Sequence, residues 1–528
     1  MIGYYYYDDM TRGECWSSSY NSWPWWRNNI VVLTLNISFL NLNLVFFFIH
    51  LCTLAADAGR KLGKKLKKSK PTTPPTITEK VECGDILDKN VELLEDLECD
   101  CQRGPGSTFA ALTLVGPAIL DLNGKTVSCT DNSWDTTQTD LSTVISVVGR
   151  GGVVFNGVVS TANFGIVLQG MGHHTVTGVT VFDTSNDGLQ VNSPFCEVIA
   201  NTFFDNGLGF YSTGELLVEC EDNLVECEFV EDECPEDFDP VNPSAIPCFN
   251  GDVSGDGIDI GEGSQFSVVS NNNIKNFGDD GLSCRSNYNV IIKNDVSITE
   301  FTPRTSKSED GITSRGVGNQ VINNIIQKTN KDGIDVKFNE DDNDCGQKFT
   351  GGYNIISFNE VKAPADGKGI KIGSNNNFVV SNNVESAQND AGFNIDTSDC
   401  DIGGNRNYLA DNTSTGNAEA GFKIEETNNN VFVRNTATDN EEEGFVLAVE
   451  VISGEIRGLA NILAGNNASG NEAGRDFREK GEDSAVDCTQ NAYIGNNAPS
   501  TEDASPSCIL GEQIDLQLQD ETPGPAWL

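Results

Sequence analysis

Histidine and methionine are scarce, with three of each in 528 residues. Only His173 and His174 lie beyond the first fifty positions, and no Cys-x2-Cys ligand pair occurs. A tetrahedral zinc centre is therefore a poor fit, and a metal-delivery protein built on His and Met ligands is disfavoured. Basic residues are short as well: 34 Lys and Arg against 78 Asp and Glu give a formal charge of −44. Beyond residue 70 the balance is 25 basic against 74 acidic side chains. Such a body repels nucleic acid and anionic membranes, because nucleic-acid affinity rests on Lys and Arg neutralising phosphates. Helical periodicity is nearly absent, and there is no phosphate-loop or dinucleotide glycine motif. The acidity itself suits a cation-binding or salt-exposed protein, and equally an ordinary solvated surface.

Sixteen cysteines are present, fourteen of them between Cys83 and Cys508. An even, plentiful set behind an apolar leader favours disulfides and an oxidising compartment. Residues 1–58 read as that leader: the stretch from Ile30 to Ala56 is mostly apolar and ends in Ala56-Asp57-Ala58 before Gly59, a small-x-small pattern compatible with signal cleavage. A basic, Pro/Thr-rich linker at 59–80 follows. Were 30–56 a retained anchor, Arg60, Lys61 and the lysines after them would hold the remainder in the cytosol. The fourteen cysteines and the glycosylation sequons at Asn412 and Asn467 argue against that. The expectation is a secreted protein without a stable membrane span after processing, with membrane anchoring through 30–56 as the alternative.

Two motifs alternate along the rest. One is glycine followed by alternating apolar residues, as in Gly257-Ile-Asp-Ile260, Gly281-Leu-Ser-Cys284, Gly311-Ile-Thr-Ser314, Gly333-Ile-Asp-Val336 and Gly392-Phe-Asn-Ile395. The other is a β-branched or aromatic run ending in asparagine, as in Val431-Phe-Val-Arg-Asn435. The step from glycine to asparagine is 13 residues at Gly188, Gly281, Gly311 and Gly369, and the return is 9 or 10. Alternation with period two means short strands with one face inward. Each motif is expected to supply one strand per coil of about 23 residues. Glycine is expected at the tight corners and asparagine in left-handed turns. Successive coils would stack about 4.8 Å apart, so equivalent residues form ladders. The fold class expected is all-β, a right-handed parallel β-helix solenoid over 81–500, with a C-terminal cap at 501–528.

These repeats, with Leu120-Asp-Leu-Asn-Gly-Lys-Thr-Val-Ser-Cys129 before them, resemble the right-handed parallel β-helix repeat proteins of the pectate-lyase-like superfamily. The resemblance covers about 83–500 and is specific for fold. It is unspecific for activity, because that superfamily holds lyases, hydrolases, epimerases and non-catalytic proteins.

Some coils are longer than the norm. An acidic, Cys-rich insert occupies 212–250, carrying Cys220, Cys227, Cys234 and Cys248. Further insertions fall around 339–351, 398–405 and 448–460, in equivalent positions that would wall one side. Cys345 with Cys400, and Cys488 with Cys508, are expected disulfides.

Alternation also assigns faces. With Ile258, Leu282, Ile312 and Ile334 inward, Asp259, Ser283, Thr313 and Asp335 point outward, as do Arg285, Arg315 and Lys337 two residues on. Asp256, Asp280, Asp310 and Asp332 sit just before the glycine corners in register, and Lys371 continues the outward row. An anionic sugar chain would lie here. Asp256, Asp280, Asp310 and Asp332 are the candidate metal ligands, for Ca2+ bridging to uronates. Arg285, Arg315 and Lys337, with Asp280 and Asp310, are the candidate catalytic groups, neutralising charge or moving a proton. Asp259, Asp335 and Lys371 are the candidate substrate contacts. The plain alternative is an ordinary surface ladder of opposite charges. Lyases of the superfamily resemble this arrangement, with Ca2+ and a basic residue. Polygalacturonases offer a second resemblance, in Asp256, Asp279 and Asp280 on adjacent coils. Their Gly-His-Gly is replaced here by Glu309-Asp310-Gly311, which puts a hydrolase of that type in doubt. His173 and His174 are expected on an early turn in an exposed structural role. The function expected is an extracellular protein that binds and modifies polysaccharide or cell-wall glycan, with a Ca2+-assisted lyase or epimerase leading. A non-catalytic, cation-binding wall or adhesion protein is the alternative.

Overall fold

The computed structural model describes residues 80–101, 110–130, 142–207, 219–220, 227–228, 255–299, 308–338, 351–397, 403–452, 455–471, 476–481 and 491–497. The leader, the linker up to residue 79, most of the acidic insert, the Cys345–Cys400 and Cys488–Cys508 pairs and the 501–528 cap lie outside them. No helix occurs among the described residues, and none is long and apolar enough to cross a membrane.

The chain winds as a right-handed parallel β-helix, the hand that parallel crossovers take. One sheet gathers a strand from each coil, running in register from Ile86–Leu87 through Ile258–Ile260, Leu282–Cys284, Ile312–Arg315, Ile334–Lys337 and Ile370–Ile372 to Phe445–Ile452 and Phe477–Gly481. The other faces carry two strands per coil instead of the single one expected. After Val290–Ile292 comes Asp295–Ser297, and after Gln320–Ile322 comes Ile325–Gln327. From Asp295–Ser297 on, each third strand is three residues long with one inward side chain, such as Val296, Ile326 or Val361. Alternation needs more than one inward residue to register, so these strands are silent in the sequence.

The inward columns make one continuous core of fully buried side chains. In the first sheet Ile258, Leu282, Ile312, Ile334 and Ile370 give way to Phe393, Phe422, Phe445 and Phe477, whose rings stack at 4.7–4.8 Å. The insertion at 448–460 folds as a hairpin, Phe445–Ile452 turning back into antiparallel Glu455–Arg457.

Corners are where the backbone loses its ladder partners, and asparagines supply replacements. Asn201, Asn272, Asn294, Asn324, Asn359, Asn382, Asn412, Asn435, Asn466 and Asn496 form one column. From Asn272 on, each Oδ1 accepts both the backbone N–H and the Nδ2 of the preceding coil's asparagine, as Asn324 does from Asn294 at 2.9 and 3.0 Å. A second column runs Asn289, Asn319, Asn354, Asn377, Asn407, Asn430, Asn461 and Asn491. The expected role of these residues needs correction. The left-handed position is the residue before each ladder asparagine, such as Lys293, Asn323, Phe358 or Ser381, with φ of 56–58°. The ladder asparagines are there for their hydrogen bonds. Corner glycines answer to crowding instead: a Cβ at Gly281 would lie 2.3 Å from Val296 Cγ1 and 2.7 Å from the Gly311 carbonyl. Asn412 is buried in its column, donating to the Val379 carbonyl, so its sequon is closed to glycan attachment in the folded chain.

Disulfides join Cys83 to Cys99 and Cys101 to Cys129 in the first coils. Cys196 and Cys284 instead sit in the core as free thiols.

Replacing Asn324 by Leu strands the Asn294 donors and the Ile291 carbonyl, and should cost about 3 kcal/mol by denaturant unfolding. Asn323→Gly, at an exposed left-handed corner, should stay within about 0.5 kcal/mol.

Candidate functional site

The outward row predicted on the first sheet is in register: Gln190, Asp259, Ser283, Thr313, Asp335, Lys371, Asn394 and Lys423 follow one another across the ladder. Arg315 pairs in register with Lys337, and the Arg285 amide donates to the Ile260 carbonyl. The row differs from expectation in exposure. Asp259, Ser283, Thr313 and Asp335 are outward from the coil yet buried, Asp335 at 2% exposure. Arg285 is exposed, and Arg315, Lys337 and Lys371 are half-buried.

Asp256, Asp280, Asp310 and Asp332 form a column joined by Asp187, which the sequence reading left out. The Asp256 amide donates to Asp187 Oδ1 at 3.0 Å, Asp280 to Asp256 at 3.0 Å, Asp310 to Asp280 at 3.1 Å, Asp332 to Asp310 at 2.9 Å and Lys368 to Asp332 at 2.7 Å. Carboxylates thus do at this corner what asparagines do at the others. One oxygen of each is committed to backbone, which fixes where the other points.

Few cations answer this charge. Arg285 lies 4.0 Å from Asp256 Oδ2 and 3.8 Å from Asp259 Oδ1, and Lys337 Nζ lies 2.7 Å from Asp335 Oδ2. Lys331 pairs with Glu309. No carboxylate among the described residues is within ion-pair distance of Arg315, and its Nε is buried without a hydrogen bond. Burial, reinforced by neighbouring carboxylates, pushes Asp187, Asp256 and Asp310 well above the usual carboxylate range. The same cause raises Asp279 to about 7 and Asp332 to about 6. For Lys337, burial pulls downward but the charges of Asp335 and Asp310 outweigh it, so it is held protonated.

Two acidic groups bring their oxygens within 4.8 Å of one another: Asp279 with Asp280 and Glu309, and Asp310 with Asp332 and Asp335. The four aspartates named as metal ligands are therefore divided. Asp280 falls in the first group, Asp310 and Asp332 in the second, and Asp256 in neither. Asp335, expected as a substrate contact, is in the second group instead, where its Oδ1 is buried without a hydrogen bond. Asp279 entered the expectation only through the polygalacturonase resemblance and Glu309 not at all, although both flank the glycine corners, a position that marks them in hindsight. His173 is exposed on its turn. His174 is not: it is fully buried, with Nδ1 accepting the Gly152 amide at 3.0 Å.

No protein-family profile and no curated protein matches this chain. Among solved structures it is similar to the periplasmic alginate epimerase AlgG, at 13% identity and TM-score 0.41, over 76% of this chain and 84% of that one. It is also similar to pectate lyase Pel9A, at 12% identity and TM-score 0.30, over 68% and 72%. A third is the Dettilon tailspike protein gp208, at 13% identity and TM-score 0.34, over 76% of this chain but only 60% of the tailspike. The likeness is one of fold.

The raised carboxylates fix the sign of a pH effect. Unfolded, they titrate near 3.8; folded, Asp332 and Asp279 hold their protons to about 6 and 7. The folded state therefore binds more protons across that window, and stability present below about pH 4 is lost as pH rises through 6 and 7. Melting in chelator-containing buffer should show that decline. Asp280→Asn keeps an acceptor for the Asp310 amide and removes charge felt by Asp256 and Asp310. It should raise stability above pH 7 by about 1–3 kcal/mol.

Proposed function

We propose that the protein is an exported β-helix protein that binds polysaccharide and modifies acidic glycans, by Ca2+-assisted β-elimination or epimerisation. The observation that carries this reading is the second acidic group. Asp310, Asp332 and Asp335 converge beside Arg315 and Lys337, and one buried oxygen of Asp335 has no partner. An oxygen-only donor set of carboxylates fits a hard divalent cation. A Ca2+ held there would bridge to a uronate carboxylate and draw off its charge.

Both reactions begin by removing the proton beside that carboxylate, which loads negative charge onto it. Arg285 and Arg315 would neutralise that charge. Lys337, held protonated by Asp335 and Asp310, adds positive field and is no base. The group suited to give or take a proton near neutrality is Asp279, half-exposed and raised to about 7. Export is supported by the two disulfides in the first coils.

One observation favours the non-catalytic, cation-binding alternative. The aspartate column is spent on backbone hydrogen bonds and Asp259 and Asp335 are buried, as a purely structural ladder would be.

Residues 71–528, incubated with uronic-acid polymers with and without Ca2+, should generate the ultraviolet absorbance of an unsaturated product, or an altered uronate composition by NMR. Arg315→Ala should slow either by tenfold or more. Binding without turnover on the whole panel would favour the structural alternative, and absence of binding would sink the polysaccharide reading.

A further inference from the structure

Beyond the carboxylate face, the turn that ends each first-sheet strand carries a second column. His173, Phe195, Phe266 and Tyr288 occupy the same corner on consecutive coils, with φ of 58–62°. Their rings stack with centroids 4.9, 5.3 and 5.4 Å apart and interplanar angles of 8–12°. Phe195, Phe266 and Tyr288 are 45%, 52% and 51% exposed. On later coils the same corner holds Gly318, Tyr353, Asn376, Arg406, Asn429 and Ala460, all left-handed with φ of 55–70°. Asparagine tolerates this conformation best, and the fold also accepts Tyr353, Arg406 and Ala460 in it. What sets the aromatic corner apart is not its left-handed backbone, which other coils share, but a run of stacked rings standing half in solvent, an exposed apolar strip of the kind that marks a binding surface. Ring–ring contact returns part of the cost, but leaves the rim of every ring in solvent.

Which ligand fits follows from the charge. Stacked rings cover one another's faces and present their edges, and the edge of an aromatic ring is its electropositive part. Arg150 Nη2 lies 3.3 Å from His173 Nε2 at one end, and exposed Arg285 sits in the same turn as Tyr288. At the other end the Tyr288 ring lies over Gly318, where a Cβ would be 2.7 Å from the ring. We propose that this corner is a binding strip for the same acidic glycan, gripping carboxylate and hydroxyl oxygens on the ring edges and on Arg150 and Arg285. It would hold the chain along the coil axis beside the Arg285–Arg315–Lys337 row. This rests on the reading of the carboxylate face as a glycan-modifying site.

The test uses the full chain and a triple variant, Phe195→Asn, Phe266→Asn and Tyr288→Asn, which installs a residue that the fold itself accepts at this corner, in Asn376 and Asn429. Melting should be unchanged or raised. Affinity for oligouronates, by calorimetry, should fall at least tenfold, and Arg150→Gln should weaken binding alone. Arg315→Ala is the comparison. If Arg315→Ala weakens binding and the triple variant binds as the parent does, the strip is wrong and the carboxylate face stands. If the parent binds no oligouronate, both fall together. If light scattering shows an oligomer that the triple variant dissolves, with glycan affinity unchanged, the corner is a self-association surface and the proposal is overturned.

Discussion

Each coil of this solenoid turns through corners where backbone N–H and C=O groups have no strand to pair with, and buried groups of that kind cost about 1–3 kcal/mol each when unmet. The asparagine columns meet that need by repetition. One amide side chain accepts from the coil before, donates to the coil after and reaches a carbonyl. The arrangement works only if every coil places its asparagine at the same height. Register, coil length and the left-handed residue before each asparagine are all consequences of that constraint.

At the first-sheet glycine corner aspartates meet the same need with the direction reversed, each carboxylate accepting the amide of the coil after it, and with different chemistry. An asparagine can donate to its neighbour in the column, whereas stacked carboxylates cannot unless protonated. Repulsion and desolvation then raise their proton affinity together. A column that stabilises the backbone is thereby a store of unmet negative charge, able to accept protons, a cation or the arginines beside it. Structural and functional readings of the row share this origin, and they divide on whether the second oxygens are used.

Much of this was legible from spacing. The 13-residue step from glycine to asparagine set the coil, and alternation placed Asp259, Arg285, Arg315, Asp335 and Lys371 on one face in the correct register. The third strand was not legible, because three residues with one inward side chain carry no pattern. Exposure was not legible either: alternation separates inward from outward, and Asp335 is outward and buried. The aromatic corner did leave a trace. Phe195, Phe266 and Tyr288 each immediately precede a member of the second polar column, at Cys196, Ser267 and Asn289. That signal needs the column to be known first.

The sequence by itself determined the period, the core columns and the fold class, because stacking repeats the same local choice on every coil. Grouping was decided only in three dimensions. Asp310, Asp332 and Asp335 come from two coils yet bring their oxygens within 4.8 Å, while Asp256, in the same column, stands apart. Stacking places equivalent residues one coil apart, but which free oxygens converge depends on the rotamer each backbone hydrogen bond leaves open. That is a property of the packed structure and not of the repeat.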